Sequence, residues 1–200
     1  MLKNSLDYRV YKTVNNMLYN RGYERRDLSP EIYKEKSNVD LTIFTESRKD
    51  YKISRGSIFV FFPNDEKVGV KPIRTYKAEM STKGSKNGIV ITKEGITPFA
   101  RSEIQSMITD PKEPILIEIF TESELMYDIT EHELVPRHEL LTKEEKEFLL
   151  KELSLKEQQL PKMMSSDPIS RYFGLDKGSV VRITRLSETG GFYTGYRIVV

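Results

Sequence analysis

The chain contains two histidines, His132 and His138, in the stretch His-Glu-Leu-Val-Pro-Arg-His, and no cysteine. On a strand, imidazoles six residues apart would share one side, because side chains alternate with a period of two. With Glu133 and Glu139 adjacent, a metal centre can be drawn. Zinc sites take three or four protein ligands, commonly including thiolates, so packing or interface hydrogen bonding is the preferred reading. A second constellation is Asp65-Glu66-Lys67, which matches the acid-x-Lys fragment of nucleases that hold Mg²⁺ at a sheet edge and activate water. It follows Phe62-Pro63-Asn64 and reads as a turn, with no Pro-Asp partner upstream. Ser165, Ser166 and Ser187 lack the Gly-x-Ser-x-Gly setting of a nucleophile; Ser165, Ser166 and Asp167 read as helix-capping residues. Gly190, Gly191 and Gly195 do not link a strand to a helix, so they read as turns and not as a phosphate loop. No catalytic residue, metal or cofactor is expected.

The remaining chemistry is electrostatic. Residues 71–101 carry seven Lys or Arg against two Glu, and residues 102–130 carry one Lys against seven acids. Residues 131–200 balance at eleven against eleven, and the whole chain is +2. A protein that grips nucleic acid alone normally shows a strongly basic domain. Here only a patch that includes Lys71, Arg74, Lys93 and Arg101 is available, suited to a phosphate backbone that something else positions. Thr97 caps a predicted helix beside it, with Pro98 at the first helical position, and free N–H groups there favour an anion. No apolar run reaches the ~18 residues of a membrane span, and the N-terminus lacks the apolar core of a secretory signal.

The elements that must position these residues follow from periodicity. Leu6, Val10, Val14 and Leu18 mark a helix over 6–19, with Gly22 as its stop. Ser29-Pro30-Glu31 opens a second helix. Residues 41–45, 57–62, 68–70, 74–80 and 88–92 are short β-branched or aromatic runs and read as strands. A helix over 96–107 and a strand over 115–120 complete an α/β or α+β first half. Near Asp128 a second part begins, with residues 132–138 as a short strand ending at Pro136. Thr142-Lys-Glu-Glu145 is a capping box opening a helix to about residue 153. Pro161 interrupts the next amphipathic stretch, Lys156–Met164. Asp167-Pro168 opens a short helix that stops at Gly174. Strands over 180–186 and 192–199 are joined by a glycine-bearing turn.

Taken in order, His132–His138, Ser165-Ser-Asp-Pro-Ile-Ser-Arg-Tyr-Phe-Gly-Leu175, Arg185-Leu-Ser-Glu-Thr-Gly-Gly191 and Tyr196-Arg-Ile-Val-Val200 resemble the assembly module of cellular RNA polymerases. That module forms the whole of one small archaeal polymerase component. It is also the C-terminal half of the fifth subunit shared by eukaryotic RNA polymerases I, II and III. Arg9–Val14, Asn20–Tyr23, Val68–Lys71 and Gly88–Pro98 are similar to the other half of the eukaryotic subunit, so the resemblance spans essentially the whole chain.

The resemblance implies an α/β N-terminal jaw domain over 1–127, restriction-endonuclease-like but non-catalytic. It also implies a small α+β C-terminal assembly domain over 128–200. The jaw would lie beside downstream duplex DNA, with Lys71, Arg74, Lys93, Thr97, Pro98 and Arg101 nearest to it; Phe99 stands where the family often has a small Ser. The C-terminal domain would dock on the largest polymerase subunit and its neighbours. Its motif positions are His132, Glu133, Leu134, Val135, Pro136, His138, Asp167, Pro168, Arg171, Tyr172, Gly174, Arg185, Ser187, Glu188, Thr189, Gly191, Tyr196 and Arg197. A nuclear location without homo-oligomerisation or membrane contact goes with this reading. Two other readings stay open: a Mg²⁺-dependent nuclease using Asp65 and Lys67, and a free transcription-associated adaptor.

Overall fold

The computed structural model describes residues 6–24, 41–48, 56–111, 113–187 and 189–200. The helix expected at Ser29-Pro30-Glu31 lies outside the described residues, as does Glu188. Two compact units divide the chain, residues 1–127 and 128–200.

In the first unit, α1 (Leu6–Asn20) is followed by β1 (Leu41–Glu46), β2 (Ser57–Phe62), α2 (Val70–Thr82), β3 (Asn87–Thr92), α3 (Pro98–Ile108) and β4 (Leu116–Thr121). The strands form one sheet in the order β1-β2-β3-β4. β1 runs antiparallel to β2, with Leu41 opposite Phe62; the β2–β3 and β3–β4 pairs are parallel. Both parallel connections step the same way, and both helices pack on one face. Phe59, Phe61, Val90 and Ile117 of that face share a buried cluster with Ile73, Tyr76 and Met80 of α2 and Ile104 and Met107 of α3. The other face buries Ile58, Val60, Ile89 and Ile91. Tyr11 of α1 meets Phe62 there, ring centroids 6.1 Å apart.

Two expected strands are corrected here. Residues 74–80 lie inside α2. Arg, Thr and Tyr there suit a strand locally, but Ile73, Tyr76 and Met80 fall at i, i+3 and i+7, and this stripe is what becomes buried. Burying each of those side chains contributes roughly 1.5–3 kcal/mol, which outweighs a β preference of about 1 kcal/mol. Tyr76 stacks on Phe61 at 4.1 Å. Gly88 lets Met80 approach, since a Cβ on it would sit 2.8 Å from the Met80 sulfur. In the 68–70 run, Val68 makes only an isolated bridge to Ile96, and Val70 already begins α2.

The second unit holds β5 (Arg137–Leu140), α4 (Lys143–Glu152), β6 (Lys162–Met163), α5 (Pro168–Phe173), β7 (Val180–Ser187) and β8 (Gly191–Val199), with one-turn 3₁₀ helices at Ile129–Glu131 and Glu157–Gln159. The sheet order is β5-β7-β8-β6. β7 is antiparallel to both β5 and β8, whereas β6 is parallel to β8. α4 covers one face through Leu141, Leu149, Leu160, Val180 and Ile198. On the other face Leu175, Val181, Ile183 and Val199 pack with Leu140 and Phe173. The Thr142–Glu145 capping box forms as expected: the Glu145 amide donates to Thr142 Oγ1 at 3.2 Å and the Thr142 amide to Glu145 Oε2 at 2.9 Å. α5 ends at Gly174, φ 56°, where an L side chain would be strained. The two-residue β6 was not expected; so short a strand has no periodicity to read.

Candidate functional site

The segment 132–138 is not the strand its sequence suggests. A turn closes it, with the Val135 amide donating to the His132 carbonyl at 2.9 Å, and only Arg137 and His138 belong to β5. Pro136 at the start of β5 ends the turn where no strand N–H is needed. The two histidines therefore do not share a strand face. His132 is exposed, and its Nδ1 accepts from the Leu134 amide at 3.2 Å. Glu133 is exposed, Val135 and Pro136 are half-buried, and Leu134 projects with 83% of its surface exposed.

His138 sits on β5 opposite Ile183 of β7, and its Nδ1 lies 2.7 Å from the Pro136 carbonyl. Burial pushes the imidazole below its usual pKa, and the charges of Arg185 and Arg197 act in the same direction; the Pro136 carbonyl and Asp167 oppose them. The sheet register explains this group. Arg185 and Arg197 lie on the same sheet face as Ile183, flanking it diagonally, with Gly195 opposite. Both arginines are exposed and have no ion-pair partner among the described residues.

α5 packs on the same face. Asp167 caps it by accepting from the Ile169 amide at 2.9 Å, Pro168 is its first residue, and Gly174 closes it. Tyr172 is buried, and its hydroxyl donates to Asp128 Oδ2 at 3.1 Å; Asp128 Oδ1 in turn accepts from the Thr130 amide. Asp167, Pro168 and Gly174 thus set the bounds of α5, Tyr172 anchors it to Asp128, and Arg171 is half-buried beside them. Asp128, read from the sequence only as a boundary, gives the buried Tyr172 hydroxyl the acceptor that such a group needs.

Tyr196 stands on the opposite face, paired with Arg182, and with it lines a groove of about 350 Å³ against α4. Beyond this pair the β7–β8 hairpin continues past the buried core of its unit. Ser187 faces Gly191 at the tip, Gly190 donates its amide to Ser187 Oγ at 3.3 Å, and Thr189 is exposed. Leu186 and Phe192, directly opposed, are 82% and 75% exposed. The expected assembly residues consequently divide into a turn, a cationic sheet face carrying α5, and a hairpin tip, with Tyr196 apart on the reverse side.

The basic patch is partly neutralised within its own unit. Arg74 donates to both carboxylate oxygens of Glu103, at 2.9 and 3.3 Å, which holds that carboxyl below its usual pKa. Lys77 pairs with Asp110 at 3.5 Å. Lys93 donates to the Asn64 carbonyl at 3.3 Å. Lys71 and Arg101 are exposed without an ion-pair partner among the described residues. Thr97 caps α3, accepting from the Ala100 amide at 3.3 Å, Pro98 is its first residue, and Phe99 beside it is 80% exposed. Asp65 and Glu66 lie exposed in the β2–α2 loop, and Lys67 pairs with Glu94 at 3.5 Å. Among the described residues no three His, Cys, Asp or Glu gather in a way that could hold a metal ion. No helix among them is long and apolar enough to cross a membrane.

The Asn20–Tyr23 stretch has a structural role that the sequence did not disclose. Arg21, buried after α1, makes a two-pronged ion pair with Glu118 of β4, at 2.9 and 2.7 Å. Tyr23 beside it is 1% exposed.

Comparison with known proteins matches both units to one family. Residues 5–80 fit the model of "RNA polymerase Rpb5, N-terminal domain" and residues 127–199 that of "RNA polymerase Rpb5, C-terminal domain". The chain belongs to the Rpb5 family. Rpb5-family relatives agree over nearly full length. The "DNA-directed RNA polymerases I, II, and III subunit RPABC1" of Caenorhabditis briggsae is 41% identical over 96% of this chain and 95% of its own, and that of Caenorhabditis elegans is 40% identical over the same shares. The protein of the same name from Dictyostelium discoideum is 41% identical, again over 96% and 95%. The Rpb5 models leave residues 81–126 unmatched, which contain β3, α3 and β4.

Proposed function

We propose that this protein is a non-catalytic subunit shared by the nuclear DNA-directed RNA polymerases. The observation that carries this reading is identity of 40–41% along both units to relatives that bear that name. In this reading residues 128–200 are the assembly domain, which docks on the largest polymerase subunit through the cationic sheet face and the hairpin tip. Residues 1–127 are the jaw, restriction-endonuclease-like in fold and without its chemistry, placed beside downstream DNA. The unpartnered Lys71 and Arg101 support a contact limited to phosphates, because Arg74 and Lys77 are already engaged with Glu103 and Asp110. So few contacts suffice when docking elsewhere supplies a high local concentration of duplex.

Affinity purification of the tagged chain from its native cell tests the proposal. The largest subunits of the nuclear polymerases are expected in the eluate at near-equal amounts. Their absence removes the reading and leaves a free adaptor in its place.

A further inference from the structure

We propose that the groove between α4 and the sheet face of β7 and β8 receives a basic amphipathic helix from a partner protein. The inference rests on the reading of residues 128–200 as an assembly domain and adds the chemistry of one occupant.

The floor of the groove is apolar, formed by Leu141, Leu149 and the Tyr196 ring. Its lip carries Phe148, 69% exposed, an aromatic side chain that the domain's own core does not use. Glu144 and Glu152 flank Phe148 at four-residue spacing on α4 and line the same groove. Neither has an ion-pair partner among the described residues. Arg182 on the wall and Arg137, which stands opposite Thr184 on the same face, share one carboxylate, Glu139, at 3.6 and 2.8 Å, and are outnumbered by Glu139, Glu144, Glu145 and Glu152. The rim is therefore net negative around an apolar floor.

The same sheet face continues from the Arg182–Tyr196 pair through Thr184–Thr194 to Leu186–Phe192. Four residues of strand carry this line about 14 Å. A helix rising 1.5 Å per residue covers that distance in about nine residues, so an occupant of three turns reaches from the Arg182–Tyr196 pair in the groove to the exposed hairpin pair. The backbone groups of β7 are committed to ladders with β5 and β8. An incoming segment on this face must satisfy its own backbone, as a helix does and an added strand does not. An acidic rim repels nucleic acid and anionic lipid alike, which leaves a protein segment carrying Lys or Arg beside an apolar stripe.

A synthetic 14-residue Leu/Lys peptide with its apolar stripe at helical spacing serves as probe for the full-length chain, alongside a Leu/Glu peptide of the same pattern. The Leu/Lys peptide is expected to shift the resonances of Phe148, Tyr196 and Leu186. Phe148→Ala is expected to weaken it at least tenfold, and so is Glu144→Lys combined with Glu152→Lys. The three substituted side chains are all on the surface, so unchanged thermal unfolding will show that the variants fold. Equal binding of the Leu/Glu peptide, indifference to the substitutions, or shifts only elsewhere overturns the proposal. In cells, a photo-crosslinking residue at position 148 extends the test. A crosslink to a Lys/Arg-rich segment of a polymerase-associated protein is expected. If polymerase subunits co-purify but position 148 crosslinks to nothing or to an acidic segment, the inference fails while the polymerase reading stands. If no polymerase subunits co-purify, that reading fails, and the peptide experiment alone decides the groove.

Discussion

Replacing Glu118 by Ala removes two hydrogen bonds from the buried guanidinium of Arg21 in the first unit. Glu118 accepts two hydrogen bonds from Arg21, at 2.9 and 2.7 Å, and the Arg21 side chain is only 2% exposed. The pair joins residues 97 apart in sequence, tying the end of α1 to β4. Removing one partner of a buried ion pair costs about 3–5 kcal/mol, because the other charge is left desolvated. Glu118 keeps 24% of its side-chain surface, so water reaches the vacated side and the lower end, about 3 kcal/mol, is expected. Arg21→Met leaves the partly hydrated carboxylate behind, at about 1–3 kcal/mol. The double variant should lose less than the two single losses added, since both single changes remove the same shared interaction. Urea unfolding of the full chain, combined with amide exchange of β4 peptides to isolate the first unit, measures all three. A loss under about 1 kcal/mol for Glu118→Ala, or strict additivity in the double variant, refutes the argument that desolvation of Arg21 dominates.

Three other sites give outcomes of their own. Gly174→Ala should destabilise the second unit by about 1–2 kcal/mol, since φ is 56° there; unchanged amide exchange of α5 would contradict it. His138 has a folded pKa below its ordinary ~6.5, so the unfolded chain takes the proton first. Stability is therefore complete above about pH 7 and falls as pH drops through ~6.5 toward the folded value. His138→Gln should flatten that decline in urea midpoints between about pH 7.5 and 5.5, and equal slopes would dismiss the histidine as its source. In polymerase reconstituted with downstream duplex, Arg101→Glu should lower the slope of log affinity against log salt by about 1. An unchanged slope means that Arg101 touches no phosphate.

Elements were legible in the sequence wherever a local rule decides. The Thr142–Glu145 box, the Asp167-Pro168 start and the Gly174 stop each depend on neighbours within four residues, and each formed as expected. Residues 74–80 misled because Thr75 and Tyr76 favour a strand locally while Ile73, Tyr76 and Met80 share a helical stripe, and only packing against Phe61 and Gly88 shows which prevails. The 132–138 segment misled because its apolar residues, Leu134 and Val135, sit in a turn that no core requires. Arg21 and Glu118 could not be paired from sequence at all: the partners are brought together by the whole sheet. At the candidate surface, residue types were legible but their sides were not. Tyr196 and Arg197 are adjacent in the chain and stand on opposite faces, so only the β7–β8 register separates a cationic face from an acid-rimmed groove.

The bare Leu186–Phe192 pair at the end of the hairpin has a consequence for how much of this chain a cell can keep. An apolar pair displayed on a protruding edge is adhesive, and chains that display such surface are sorted continuously by chaperones and proteases. In the docking proposed above, a copy whose hairpin is seated in polymerase hides that mark, whereas a surplus copy carries it constantly. Abundance would then be trimmed to the number of places waiting to be filled, with the hairpin serving as the tally.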